Sequence, residues 1–387
     1  MTNHAIAVGP LHGVRVVDLT TGLGAYTGRL LSDLGAEVIR VEPEGGVQER
    51  RQPPHGDSGL SLAFAFTEAG KRSVLDDDID LEGLLGTAQI LLTSDGPATL
   101  RARGLHPDDV TGRHPGLVHV SISPYGLTGP YADRPASDLT LLAAGGLLAL
   151  AGDPDREPVR AWGNQTTIIG GVHGAAAALI ALHSLETTGR GQVVDLSVQE
   201  AVAHSLENAA QYLDLEGIVR SRVGAGPVES GTGLFRCADG WIYLVGGLGG
   251  RPLAWSAIVD WLLDNGVTEA DALRGEEWQE RSWRRSTEGS AAFRKIFEGF
   301  ARTRTKVGLY EAGQSRGISI APVSTPADLL ESPQLAARHF FRTIDVDGQD
   351  LRFPGSPYRF TGATVAPRCG PPALGEMSEP KSEGNNP

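Results

Sequence analysis

Short apolar runs separated by polar, helix-forming stretches set the rhythm of the first third of the chain. Residues 13–19 (GVRVVDL) read as a strand, residues 22–34 as a turn running into a helix, and residues 37–41 (EVIRV) as a second strand. Residues 73–75, 89–92 and 117–122 continue the series. Strands alternating with connecting helices predict a parallel sheet covered on both faces. From Leu139 the pattern turns helical. Residues 168–186 carry Gly170, Gly171, Gly174 and Ala175 to Ala178 on one helix that stops at Thr188-Gly189, and side chains this small predict close packing at the centre of the fold. A strand at 192–196 and an amphipathic helix at 198–215 follow.

A polar, glycine-containing break at 218–231 opens a region of different character. Residues 233–237 and 241–245, around Ala238-Asp239-Gly240, predict a hairpin, and charged, tryptophan-bearing helices extend to about residue 314. A strand at 319–324 and a helix at 327–330 lead to a tail that is loose after about residue 375. The expected organisation is a large α/β domain over 1–217, a small α+β domain over 218–317, and a segment over 318–387 that returns to the large domain.

Composition narrows the function classes. Glycines number 51 and prolines 24 in 387 residues, which is glycine-rich but short of low complexity. Tight turns or close backbone approaches to a ligand must account for the glycines. A net charge of −13 without a basic run argues against nucleic-acid binding. Cys237 and Cys369 are too few for a disulfide framework or a zinc cluster. No signal-peptide pattern opens the sequence, and the apolar runs at 139–152 and 168–182 fall short of a bilayer span. A soluble cytoplasmic enzyme without a membrane partner is expected.

The first strand–turn–helix carries the clearest candidate chemistry. Gly22-Leu23-Gly24 and Gly28, with Glu42 at the end of the next strand, have the grammar of a dinucleotide turn. Glycines bring backbone amides and a helix start to a phosphate, and the acid takes a ribose hydroxyl. The last glycine spacing is three residues where the fingerprint has two. A nicotinamide or flavin cofactor, another nucleotide-bearing ligand and plain chain reversal all remain open on this pattern. Lys71-Arg72 before a strand could clamp a phosphate or form a solvated edge, and Arg101 and Arg103 share that ambiguity. His173 and His183 lie ten positions apart, off metal-ligand spacing, so no metal site is expected. There is no GxSxG elbow, and Cys237 reads as core.

Longer segments carry a resemblance. Residues 11–19, 30–43 (LLSDLGAEVIRVEP), 70–73 (GKRS), 117–139 (LVHVSISPYGLTGPYADRPASDL), 188–201 (TGRGQVVDLSVQEA), 239–241, 320–323 (IAPV) and 373–376 (ALGE) occur in one order along nearly the whole chain. Together they resemble the family III CoA-transferases, the CaiB/BaiF group of formyl-CoA transferase, carnitine CoA-transferase and α-methylacyl-CoA racemase. The resemblance implies a Rossmann-like CoA-binding large domain, a smaller inserted α+β domain and an interlocked homodimer. It implies coenzyme A as a substrate, not a permanently bound cofactor. The family's reaction moves CoA from an acyl-CoA to a small carboxylic acid through an aspartate that becomes acylated and then carries CoA as a thioester. That aspartate must be nucleophilic as an anion and a good leaving group as an anhydride.

On corresponding positions, the resemblance implies CoA contacts from Gly22, Leu23, Gly24, Glu42, Pro43, Gly70, Lys71, Arg72, Ser94, Asp95, Arg101, Arg103, Ser137 and Asp138; the family's Glu-Asn-Phe stretch reads Thr93-Ser94-Asp95 here, the first glycine turn is two residues shorter, and the arginine of the following helix is displaced to Arg101 or Arg103. The family's nucleophile position falls on Thr167, and Asn164, Gln165 and Thr166 before it are not acidic either. The racemase acid–base positions fall near Ser137, Thr167 and Gly249, and none keeps its family residue. Thr167 with Gln165, or Glu229 in the glycine-rich loop at 224–231, are the local substitutes. Two expectations follow: CoA transfer with a non-standard catalytic group, or another acyl-CoA reaction on the same fold; and a non-catalytic subunit that binds CoA thioesters or pairs with an Asp-bearing paralogue. A nicotinamide-dependent reductase is the remaining competitor.

Overall fold

A computed structural model describes residues 9–224, 229–248 and 251–378. The chain forms two compact units, one of Met1–Ala149, Arg160–Arg220 and Pro333–Pro387, the other of Leu150–Val159 and Ser221–Ser332.

The first unit contains β1 (Arg15–Asp18), α1 (Ala25–Asp33), β2 (Glu37–Glu42), α2 (Leu62–Glu68), β3 (Arg72–Leu75), α3 (Leu81–Leu85), β4 (Ile90–Thr93), α4 (Pro97–Ala102), α5 (Pro107–Arg113), β5 (Val118–Ser123), α6 (Asp138–Ala144), α7 (Gln165–Thr188), β6 (Val193–Ser197), α8 (Val198–His204) and α9 (Ala209–Glu216). The strands form one parallel sheet in the order β3-β2-β1-β4-β5-β6, the doubly wound arrangement. Successive side chains of a strand point to opposite faces. Accordingly Val16 packs with the layer of α1, α6, α7 and α8, and Val17 with the layer of α3, α4 and α5.

By length and composition α7 could cross a bilayer, because its 24 residues extend the apolar run at both ends. Its glycines instead receive α1: a Cβ on Gly171 would lie 2.7 Å from Tyr26 Cβ, and one on Gly174 would lie 2.5 Å from Thr27 Oγ1. Thr27 Oγ1 donates to the Gly171 carbonyl at 3.2 Å. The helix ends at Gly189, left-handed at φ 68°. The single helix expected over 198–215 is two helices, α8 and α9, with Glu207 at φ 56° between them.

Four charged side chains are buried where β1, β2, α2 and β3 converge. Lys71 Nζ lies 2.7 Å from Asp18 Oδ2 and 2.8 Å from Glu68 Oε2, and donates to the Ala25 carbonyl at 2.8 Å. Arg40 Nη1 reaches Asp18 Oδ1 at 3.3 Å, and its Nε lies 3.7 Å from Glu68 Oε2. Burial opposes ionisation of Asp18, but Lys71 and Arg40 outweigh it and hold the carboxyl below its ordinary range. At Glu68 burial prevails and raises the value. Gly28 makes room for the cluster, since a Cβ there would stand 2.5 Å from Asp18 Oδ2.

The second unit is built on β7 (Thr232–Cys237), β8 (Gly240–Val245), β9 (Gly247–Leu248), β10 (Arg251–Pro252), α10 (Trp255–Asp264), α11 (Arg281–Arg284), α12 (Thr287–Ala301), α13 (Lys306–Gln314), β11 (Ser319–Pro322) and α14 (Pro326–Leu330). Trp255, Trp261, Trp278, Phe293, Phe297 and Phe300 fill its core. Its limits differ from the expected 218–317. Strand β11 pairs antiparallel with β8, Ser319 opposite Val245, and this hydrogen bonding keeps the segment to Ser332 in the small unit. The return to the first unit begins with α15 (Pro333–Ala337) and the hairpin β12 (Phe341–Val346) and β13 (Gln349–Pro354). Ile344, Val346 and Phe353 pack on Ala65 and Ala69, and Met377 N–H donates to the Ser73 carbonyl at 2.9 Å.

Lys71→Met leaves Asp18 and Glu68 with Arg40 alone in the buried cluster. Breaking such a network is expected to cost about 3–5 kcal/mol, read as a lower urea midpoint. His119, fully buried in β5, bonds Thr93 Oγ1 through Nε2 at 2.9 Å; burial, with His106 adding to it, pushes its pKa down to about 4. The folded state therefore excludes a proton that the unfolded chain binds below about pH 6.5. This contribution is complete above about pH 6.5 and falls by up to about 1.4 kcal/mol per unit toward pH 4. Asp33, pushed up to about 6, acts with opposite sign in part of that window. The difference between wild type and His119→Gln in denaturation midpoint from pH 7.5 to pH 5 isolates the histidine; equal slopes would refute its role.

Candidate functional site

In doubly wound sheets ligands settle beyond the carboxyl ends of the strands, where strand order reverses. Here that point lies between β1 and β4. A cavity of about 540 Å³ opens there, lined by Thr21, Gly22 and Leu23 after β1, Ser94, Asp95 and Gly96 after β4, and Pro124 and Asp133–Arg134 beyond β5. Its walls are tied together. Thr21 N–H donates to Ser94 Oγ at 2.7 Å, Gly22 N–H to Glu49 Oε1 at 2.6 Å, and Ala98 N–H to Asp133 Oδ1 at 2.9 Å. The Arg134 guanidinium lies 4.1 Å from the centroid of the Tyr131 ring.

Of the residues singled out in the sequence, Gly22, Leu23, Ser94 and Asp95 line this cavity. Gly24 caps α1 behind them, packed so closely that a Cβ would lie 2.5 Å from Thr20 Cγ2. Arg103 pairs with Asp95 at 2.9 Å, while Arg101 is exposed on α4. The structure puts the remaining basic and acidic candidates elsewhere. Glu42 is buried under Arg50, which bonds both its oxygens at 2.8 and 2.6 Å, and under Ser73 Oγ at 2.7 Å. Burial works against its charge, but these bonds hold the carboxyl below its usual value. It anchors a turn and is not a free acceptor for a ribose. Pro43 is exposed just beyond it. Lys71 is consumed by the buried cluster, so it clamps no phosphate. Gly70 and Arg72 line a different cavity, about 580 Å³, at the amino ends of the strands with Arg15, Glu37 and Arg368.

The start of α7 is the second part of the site. Thr167 is buried, and Gln165 turns its amide to the Trp162 carbonyl at 2.6 Å. Asp138, the first residue of α6 after the cap Ser137, reaches across to this helix start. Its Oδ1 accepts from Thr166 N–H at 2.8 Å and from Thr166 Oγ1 at 2.9 Å; its Oδ2 is buried without a hydrogen bond. A helix N-terminus favours negative charge, and here the neighbouring helix supplies it. Glu229 belongs to the other unit, buried against Arg284 at 3.4 Å. Residues 225–228 of its loop, and Gly249, lie outside the described residues.

Sequence reading assigned no role to Glu49, Asp133 or Arg134. The Asp133-Arg134 pair stood inside the quoted GPYADRP segment, which was the available signal. Glu49 gave none, because its position depends on a fold-back of 27 residues onto Gly22. Among the described residues, no group of three or more His, Cys, Asp and Glu side chains is placed to hold a metal ion.

Comparison with known proteins adds independent support. The family model for CoA-transferase family III matches residues 11–378. The succinyl-CoA:(R)-benzylsuccinate CoA-transferase subunit BbsE of Thauera aromatica is 40% identical over 361 residues, 89% of this chain and 87% of that protein. The beta subunit of succinyl-CoA–L-malate CoA-transferase of Chloroflexus aurantiacus is 28% identical over 386 residues, 96% and 92% of the two chains. A CaiB/BaiF family protein from Brucella suis superposes with a TM-score of 0.83 at 26% identity, covering 96% of this chain and 97% of its own. With the switch-point cavity and the start of α7 in place, the match over nearly the full length decides the matter: the chain belongs to CoA-transferase family III.

Proposed function

We propose that this chain is one subunit of a hetero-oligomeric CoA-transferase whose nucleophilic carboxylate comes from the partner subunit. The carrying observation is the start of α7, where position 167 is a buried threonine and the nearby carboxylate, Asp138, is engaged with Thr166. A threonine ester is not the activated species that a mixed anhydride is, so it would not hand its carbonyl on to CoA.

In the complex, a carboxylate oxygen of the partner attacks the thioester carbonyl. The C–S bond breaks and the CoA thiolate leaves. The thiolate then attacks the partner's own carboxyl carbon in the anhydride, releasing the donor acid and leaving CoA on the partner as a thioester. The acceptor acid's carboxylate attacks that thioester, and CoA returns to the resulting anhydride at the acceptor's carbon, regenerating the free carboxylate. CoA is a substrate throughout. Two of the relatives named above are subunits by name, and both names carry succinyl-CoA, which supports a succinyl-CoA donor and a substituted dicarboxylic acid as acceptor.

A second reading has one observation behind it. The unpartnered Asp138 Oδ2 lies on the residue that holds Thr166, and a relocated carboxylate there would let the chain act alone. Co-expression with an Asp-bearing family III chain from the same host, assayed for CoA transfer from succinyl-CoA to benzylsuccinate, separates the two. The complex is expected to turn over at least about 100-fold faster than the isolated chain, a gap of about 2.7 kcal/mol in barrier. Replacing the partner's aspartate by asparagine is expected to abolish turnover. An isolated chain of comparable activity that Asp138→Asn silences would overturn the partner reading in favour of the second.

A further inference from the structure

The switch-point cavity belongs to a fold in which phosphates lie against the amides of the first βα turn. In this chain two of those amides are already taken by the protein's own oxygens, Thr21 N–H by Ser94 Oγ and Gly22 N–H by Glu49 Oε1 at 2.6 Å. Across the cavity the Asp133 carboxylate takes the Ala98 N–H at 2.9 Å.

Glu49 is not there by the drift of a loose side chain. Glu49 sits in a 3-10 turn, Gln48–Arg51. Its neighbour Arg50 is fastened to both Glu42 oxygens, donates to the Pro372 carbonyl at 3.1 Å, and stacks 4.4 Å from the Phe64 ring centroid. Gly96 leaves space for Asp133, whose Oδ1 would stand 3.1 Å from a Cβ at that position. The lining carries Glu49, Asp95 and Asp133 against Arg134, and Arg103 answers only Asp95. A coenzyme with an anionic diphosphate and a further ribose phosphate would have to displace one carboxylate and lie beside another, a like-charge arrangement that interfaces reject.

We infer that Glu49 stands in for phosphate at the first turn and, with the Asp133 carboxylate across the cavity, closes this chain's own switch-point cavity to the CoA nucleotide, so that the transferase complex binds CoA only in the partner subunit's cavity. The inference rests on the hetero-oligomeric reading above and adds a stoichiometry to it: one CoA per pair of unlike chains.

Titration calorimetry with CoA itself, on the complex and on the isolated full chain, tests this. The complex is expected to take one CoA per heterodimer, and the isolated chain none up to about 1 mM. Glu49→Gln combined with Asp133→Asn is expected to confer CoA binding on the chain at least about tenfold tighter than wild type, weakening with added salt. Glu49→Gln alone, checked by circular dichroism for a native fold, is expected to move in the same direction. Two CoA per heterodimer would overturn the inference and leave the partner reading standing. So would stoichiometric binding to the isolated wild-type chain that Arg134→Ala weakens, or folded variants that gain no affinity. Turnover by the isolated chain would overturn the partner reading, and calorimetry on that species would still decide the cavity separately.

Discussion

The buried Asp18–Lys71–Glu68–Arg40 cluster is the constraint on which the first unit depends. Moving charges out of water is costly unless each finds partners, and here two cations and two anions face each other at the junction of three strands and two helices. Lys71 also grips the Ala25 carbonyl, the first turn of α1. Asp18 Oδ1 accepts from Thr20 N–H and Oγ1 at 2.9 and 2.6 Å. The turn between β1 and α1 is thus held from below by charge, which leaves Thr21, Gly22 and Leu23 as its outward edge on the cavity.

The same economy of contact appears between α1 and α7. Glycine at 171 and 174 lets the two helices approach until Tyr26 and Thr27 touch the α7 backbone. That approach sets where α7 begins, and its N-terminus draws a carboxylate by its dipole. Here that carboxylate is Asp138, from α6. The acid that stabilises the helix start thus comes from a residue 28 positions earlier in the chain.

Local pattern made much of the architecture legible. Alternation of short apolar runs with helices reports burial on both faces of a parallel sheet, and the observed β1 to β5 lie within a residue or two of the expected strands. The hairpin of β7 and β8 was equally readable, because its turn residues act locally. Other features escaped for physical reasons. Lys71 looked like a surface cation, since its partner Asp18 is 53 residues away. Glu42 looked like a ligand acceptor, since nothing local announces that Arg50 will fold back over it. The pairing of β11 with β8 spans more than seventy residues and defines the small unit's end, which no short window contains.

By itself, then, the sequence determined the alternating strand–helix order and the family, because each is written in residue identity and spacing. Only the tertiary structure decided which charges are buried, which amides are occupied and which carboxylate reaches the start of α7. Those outcomes depend on distances between residues far apart in the chain, and electrostatic worth changes with burial and separation far more than with the identity of the charged residue.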